Sequence, residues 1–237
     1  MLEFKALGPL EVSQDERPVD ITAPKQRTVL AVLLLSANQV VSFDRLIDHL
    51  WGDDAPPRAT ATLQVYISSL RRAFEPDRAP RSPGRVLLSK PPGYVLAVDQ
   101  DHFDAMSFTD GVSVARRQLA DGDPEAQRRL GAAMALWRGP AYADFAEEAF
   151  AHAETARLEM LRVIAIEVGA EADLALGLHQ AAAAELETMV ARYPFRESLW
   201  ASYLLALYRS GRQADALRAY QSCRPTWPRW ASRAPGA

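Results

Sequence analysis

The spacing of apolar residues divides the chain near Val98 into a part with short strands and helices and a part that is almost continuously helical. Over residues 2–22, Phe4, Ala6, Leu7, Leu10 and Val12 read as strands broken by Gly8-Pro9. Asp15-Glu16-Arg17-Pro18 makes a turn before a further extended piece, Val19-Asp20-Ile21. Pro24 stands at the first helical position, where its missing N–H costs nothing, and Thr28, Leu30, Leu33 and Leu34 carry a buried helix to about Ala37. Ser42 suits the N-cap of a second short helix whose core face is Leu46, Ile47 and Leu50, ending at Trp51-Gly52. An acidic, proline-stiffened loop, Asp53-Asp54-Ala55-Pro56-Pro57, leads to a third helix over 58–74.

That third helix is unusual in its polar face. At 100° per residue, Leu63, Tyr66, Ile67, Leu70 and Phe74 form one narrow apolar stripe. The opposite side carries Arg58, Thr62, Val65, Ser68, Ser69 and Arg72, with Gln64 and Arg71 on its flank and no acidic residue before Glu75. Such a face suits a DNA major groove: Arg meets phosphate or guanine, Gln pairs with adenine, and a small apolar group meets a thymine methyl. The residues alone fit a plain amphipathic helix with solvated arginines equally well. Context decides. Pro76, Pro80, Pro83 and Gly84 follow as irregular chain, and then Arg85–Lys90 and Tyr94–Val98 read as two strands. Between them Pro91-Pro92-Gly93-Tyr94 matches a type II turn, with Pro second and Gly where φ must be positive. The order sheet, helix, helix, loop, helix, hairpin is that of a winged helix-turn-helix, with the third helix as reader and the hairpin as wing.

From Asp99 onward, Met106, Phe108, Val112, Val114 and Leu119 mark a helix that breaks at Asp121-Gly-Asp-Pro124. Leu130, Met134, Leu136 and Trp137 resume the pattern to Gly139-Pro140, and a long helix runs from about Glu147 to Glu171. A 34-residue repeat then relates Leu176-Gly177 to Ser210-Gly211, Ala182 to Ala216, Leu186 to Tyr220, Tyr193 to Trp227 and Pro194 to Pro228. That period, with small residues after a Gly turn, is the tetratricopeptide pattern of paired helices. The predicted fold is therefore mainly α with a small β part. An α+β winged helix-turn-helix spans 1–98, an all-α tetratricopeptide-like domain spans 99–221, and an irregular tail without apolar period spans 222–237. A shifted reading frame or truncation would produce such a tail, and so would a divergent natural end.

Charge sharpens the first half of this picture. The 237 residues carry a net charge of −3, yet residues 56–90 hold seven basic side chains against two acidic ones. Local charge steers a polyanion, so a weakly acidic whole is compatible with binding one. The single cysteine, Cys223, excludes an internal disulfide framework and suits a reducing, cytoplasmic setting. No signal peptide is visible, and the longest apolar run, Val29–Leu35, is too short to span a bilayer, so no membrane partner is expected.

Catalytic chemistry finds little support. Asp99, Asp101 and Asp104 resemble the start of a calcium loop, but that loop needs Gly at its sixth position and Glu at its twelfth, where this chain has Asp104 and Asp110. A helix entry in a solvated loop accounts for them. His49, His102, His152 and His179 do not approach one another or Cys223 at ligand spacing. No nucleophile elbow, phosphate loop or dinucleotide fingerprint occurs. The chain is expected to be no enzyme and to need no cofactor or metal.

Four segments in order carry a resemblance: Pro24-Lys-Gln-Arg27, Leu50-Trp-Gly52, Leu63-Gln-Val-Tyr-Ile-Ser-Ser-Leu-Arg-Arg72 and Pro92-Gly-Tyr94. Residues 1–98 look like the OmpR/PhoB-type winged-helix domain, and the combination resembles the Streptomyces antibiotic regulatory protein family of transcriptional activators. In that family a helical, tetratricopeptide-like activation domain follows the winged helix, so the resemblance extends to about residue 221. It implies an activator of antibiotic or other secondary-metabolism genes that binds direct repeats in promoter double-stranded DNA, side by side as a homo-oligomer, and recruits RNA polymerase holoenzyme.

On this reading Thr62, Gln64, Val65 and Ser68 face base edges, while Arg58, Arg71, Arg72 and Lys90 hold phosphates. Val65 fits a thymine methyl or a merely exposed valine, and Lys25 and Arg27 fit phosphate contacts or solvated cations. Asp53 and Asp54 are suited to touch a basic polymerase surface, or the loop that carries them is a spacer. The rival function is a tetratricopeptide-type protein adaptor in which the winged helix mediates protein contacts without binding DNA.

Overall fold

The computed structural model describes residues 1–79, 82–123 and 125–223. The proposed break residue Pro124, the repeat members Trp227 and Pro228, and the tail from 224 onward lie outside these residues. The chain opens with an antiparallel three-stranded sheet, β1 (Leu2–Lys5), β2 (Glu11–Gln14) and β3 (Arg17–Pro18), in sequence order. Asp15 and Glu16 both have positive φ, 50° and 65°, the conformation that lets a two-residue turn follow strand twist. The expected strand at Val19-Asp20-Ile21 does not form. Val19 gives a last N–H to Val12 at 2.8 Å, and the chain then turns inward to bury Ile21.

Helix α1 (Pro24–Leu35) has Pro24 at its start, as expected, and ends two residues before the expected Ala37. Its Val29–Leu34 run is buried on all sides, so this helix is the centre of the domain rather than a face of it. Asn38, at φ 64°, then fixes the connection: its side chain exchanges two hydrogen bonds of 2.9 Å with the Val98 backbone. Ser42 caps α2 (Phe43–Trp51) by accepting from the Arg45 N–H at 3.2 Å. Leu46 and Leu50 are buried and Ile47 is half-buried. Helix α3 (Ala59–Phe74) buries Leu63, Ile67, Leu70 and Phe74, with Phe74 edge-on to Phe4 of β1 at 5.6 Å.

The hairpin β5 (Leu87–Lys90) and β6 (Gly93–Leu96) joins the two-residue strand β4 (Val41–Ser42) in a second sheet of order β4-β6-β5. Its turn differs from the type II expectation. Lys90 pairs with Gly93, so the two central residues are Pro91 and Pro92, joined by a cis peptide bond. Gly93 is needed for another reason: a Cβ there would stand 1.8 Å from the Val41 carbonyl oxygen, because β4 runs directly against it.

The compact unit that contains the winged helix continues past Val98. It comprises residues 1–113 together with 131–161. The cause lies in the irregular segment after β1, whose buried backbone groups need partners. Asp104 is itself buried, not solvated: its carboxylate accepts the N–H groups of Ala6 at 2.7 Å and Leu7 at 3.0 Å. The carbonyls of Leu7, Ala6 and Gly8 accept from the backbones of Arg138, Tyr142 and Ala143 at 2.7, 2.7 and 3.1 Å. Asp144 accepts from the Leu10 N–H at 2.8 Å and from Arg27 at 2.6 Å.

Helices α4 (Asp104–Ala120), α5 (Glu125–Met134) and α6 (Ala149–Ala175) continue into a second unit, made of 114–130 and the residues from 162. It is completed by α7 (His179–Arg192), α8 (Glu197–Arg209) and α9 (Gln213–Cys223), so Ser222 and Cys223 close a helix instead of opening a tail. The 34-residue repeat reappears in the backbone hydrogen bonds. Leu178 N–H reaches Asp173 O and Gly177 N–H reaches Leu174 O; 34 residues on, Arg212 reaches Leu207 and Gly211 reaches Tyr208. Both are Schellman helix ends, with Gly177 at φ 79° and Gly211 at φ 81°. Trp200, Tyr203, Leu199 and Leu207 of α8 and Ala182, Leu186 and Val190 of α7 form the buried seam.

Candidate nucleic-acid interface

Helix α3 presents one continuous exposed stripe. Ala61, Gln64, Val65, Ser68 and Arg72 are all exposed, Val65 to 61 %. From Ala61 to Arg72 the stripe is about 17 Å long at 1.5 Å per residue, a length that fits along a major groove. Thr62 lies at its edge, half-buried, with its hydroxyl donating to the Arg58 carbonyl at 3.2 Å. Ala61 occupies the central place that the sequence reading gave to Thr62. Its signal was available in the spacing 61, 65, 68, 72, but an alanine in an alanine-rich chain attracts no notice.

The cations divide into two groups. Arg58 just before α3, Arg72 near its end and Lys90 at the wing turn are exposed. Arg85, to which no motif in the sequence points, is exposed as well, and its backbone N–H is held by Glu75 Oε1 at 2.6 Å. The same oxygen accepts from the Val86 N–H at 2.8 Å, so Glu75 fastens the end of α3 to the start of the wing.

The second group makes contacts within the protein. Arg71 donates through Nε to the Leu87 carbonyl at 2.8 Å and through Nη2 to Ser89 Oγ at 2.9 Å, and it lies 5.7 Å from the Tyr94 ring. Burial lowers its pKa and raises that of Tyr94. Lys25 donates to the Leu50 carbonyl at the end of α2 and sits 6.0 Å from the Trp51 ring. Arg27 donates to the Leu10 carbonyl at 2.8 Å besides its ion pair with Asp144. Arg27 is half-buried among these partners, whereas Lys25 stays exposed despite its tie to Leu50.

The loop between α2 and α3 is held at its root. Trp51 stacks on Tyr66 with ring centroids 6.2 Å apart, which is why Tyr66 of the apolar stripe is half-buried instead of covered by core. Beyond it, Gly52–Asp54 form one 3₁₀ turn in which Asp53 and Asp54 are both exposed.

With this geometry established, similarity to known proteins becomes informative. Residues 16–96 match the model of the C-terminal domain of transcriptional regulatory proteins, and residues 103–229 match the bacterial transcriptional activator domain. The regulatory protein DnrI of Streptomyces peucetius is 36% identical over 229 residues, covering 95% of this chain and 84% of DnrI. The chain belongs to the Streptomyces antibiotic regulatory protein family of transcriptional regulators.

Other members share the same two-part plan. The transcriptional regulatory protein EmbR of Mycobacterium tuberculosis is 38% identical over 226 residues, covering 95% of this chain; the chain spans 58% of EmbR's length. Regulatory protein AfsR of Streptomyces coelicolor is 35% identical over 225 residues, 94% of this chain and 22% of AfsR. The solved structure of Mycobacterium tuberculosis EmbR, in complex with a low affinity phosphopeptide, superposes with a TM-score of 0.88 at 37% identity, over 95% of this chain and 59% of that one. The winged helix followed by a helical activator domain is therefore the family's arrangement.

Proposed function

We propose that this chain is a sequence-specific, DNA-binding transcriptional activator of secondary-metabolism genes, antibiotic clusters among them, acting in the cytoplasm. The observation that carries the reading is the exposed stripe on α3, apolar and amide-bearing at its centre and flanked by the exposed cations Arg58, Arg72, Arg85 and Lys90. A major groove would give the exposed glutamine, valine and serine each a partner: a base edge, a thymine methyl and a further base edge. Gln64, Val65 and Ser68 read base edges, with Thr62 at the margin. The cations neutralise phosphates on either side. Binding to direct repeats places copies head to tail, which needs no two-fold interface. Asp53 and Asp54, held outward by the Trp51–Tyr66 stack, supply an acidic surface for RNA polymerase holoenzyme.

The deciding experiment is a gel shift of the full chain on promoter fragments at two salt concentrations. Four phosphate contacts give a log–log salt slope of about −3.6. A protein adaptor that does not bind DNA gives no salt-dependent shift, and that outcome would overturn the reading.

A further inference from the structure

Arg71 was expected to grip phosphate, but its surroundings assign it different work. We propose that Arg71 is the positioning residue that fixes the wing against the reading helix, so that Lys90 reaches the backbone of the same DNA that α3 reads; this rests on the proposed DNA-binding function. Three contacts converge on one guanidinium: the Leu87 carbonyl at 2.8 Å, Ser89 Oγ at 2.9 Å and the face of Tyr94 at 5.7 Å. Leu87 and Ser89 are alternate residues of β5, and Tyr94 pairs with Ser89 across the hairpin. The planar fork therefore spans both wing strands at once.

The contact continues beyond the wing. Tyr94 meets Phe43, the first residue of α2, edge-on at 5.1 Å, and the Phe43 N–H donates to the Pro92 carbonyl at 3.1 Å. One side chain on α3 thus braces a hairpin whose other side rests on the start of α2. Lys90 lies one residue beyond Ser89 and carries no such brace of its own; its aim is set by the strand that Arg71 holds. A lysine at 71 would keep the charge but lose the fork, since a single ammonium cannot supply a fixed carbonyl and hydroxyl contact while stacking on a ring.

The test uses the full chain as wild type and as Arg71→Lys, Ser89→Ala, Lys90→Ala and the Arg71→Lys/Lys90→Ala double variant. Hydrogen exchange without DNA is followed at wing amides 87–96 and, as a control, in α1 and α8. Arg71→Lys should speed wing exchange at least tenfold, Ser89→Ala by less, with both controls unchanged. On promoter DNA, Lys90→Ala should reduce the salt slope by about one contact in the wild type and by less than half of that in the Arg71→Lys background. Wing protection that survives Arg71→Lys, or slope losses from Arg71 and Lys90 that simply add, would overturn the proposal and return Arg71 to the phosphate contacts. Should Arg71→Lys fail to fold, Ser89→Ala decides by the same exchange readout. Absence of any salt-dependent DNA binding by the wild type would defeat the functional reading, and the exchange arm would still decide whether Arg71 holds the wing.

Discussion

Arg138 stands 3.7 Å from the carboxylate of Asp104, and between them they hold the bend that follows the first strand. Asp104 accepts from Ala6 and Leu7, and Arg138 also donates to the Pro9 carbonyl at 3.1 Å and pairs with Glu11 at 2.6 Å. Replacing Asp104 by Ala strips two buried N–H groups of their acceptor and leaves Arg138 with one carboxylate. The loss should be about 3 kcal/mol in urea unfolding, against about 1 kcal/mol for Asn, which keeps one acceptor. Burial raises the Asp104 pKa from 3.8, against the pull of Ala6, Leu7 and Arg138. The folded state therefore holds this proton more tightly than the unfolded chain. The stability linked to it is full below pH 3.8 and is lost as pH rises through the raised value. Wild type minus Asp104→Asn, followed by unfolding from mild acid to neutrality, should fall and then level off; a difference that climbs with pH contradicts this.

Gly93 offers a test of the wing root. Any side chain there collides with the Val41 carbonyl, a backbone atom that moves only with its strand, so Gly93→Ala must push β4 off β6. Displacing that pairing should cost about 3 kcal/mol, the upper end for overpacking. DNA affinity should fall with it, while the helices from α7 onward keep their circular-dichroism signal. Unchanged affinity would show that the wing tolerates the shift.

The same glycine shows where a sequence is legible and where it is not. Its neighbours Pro91 and Pro92 announced a turn correctly, but local preference suggested that Gly93 served the turn's own backbone. The actual demand comes from Val41, more than fifty residues earlier, and no local rule contains it. Asp104 and Arg27 follow the same logic. Each looked like a solvated or ligand-facing charge because its partners, Ala6 and Leu7 for one and Asp144 for the other, are distant in the chain. By contrast, Pro24, the Ser42 cap, the apolar stripe of α3 and the paired Gly177 and Gly211 turns were all readable, since each is settled within a few residues. In the candidate interface the exposed stripe was visible from its period, but the ties of Arg71 to the wing and of Lys25 to Leu50 were not.

The stripe itself yields separable effects. Arg72→Ala should weaken binding to every sequence and reduce the salt slope by about one contact, because a phosphate carries no sequence information. Gln64→Ala should leave the slope unchanged and relax preference at one base pair by about 1–3 kcal/mol. Selection of binding sites from a random library, followed by affinity at two salt concentrations, measures both. If Gln64→Ala lowers affinity uniformly, Gln64 is not a base contact.

The acidic turn after Trp51 separates binding from activation. Asp53 and Asp54 are exposed on a 3₁₀ turn anchored by the Trp51–Tyr66 stack, so neutralising both as Asn should not disturb α3. Removing two negative charges near a DNA-binding surface should, if anything, slightly strengthen DNA binding at low salt. A polymerase contact made through these carboxylates predicts the opposite for transcription. The double variant should shift promoter DNA as well as the wild type, yet activate at least fivefold less in a reconstituted transcription assay. Full activation by that variant would mean that the turn only spaces α2 from α3, and the polymerase contact would have to be sought on another surface.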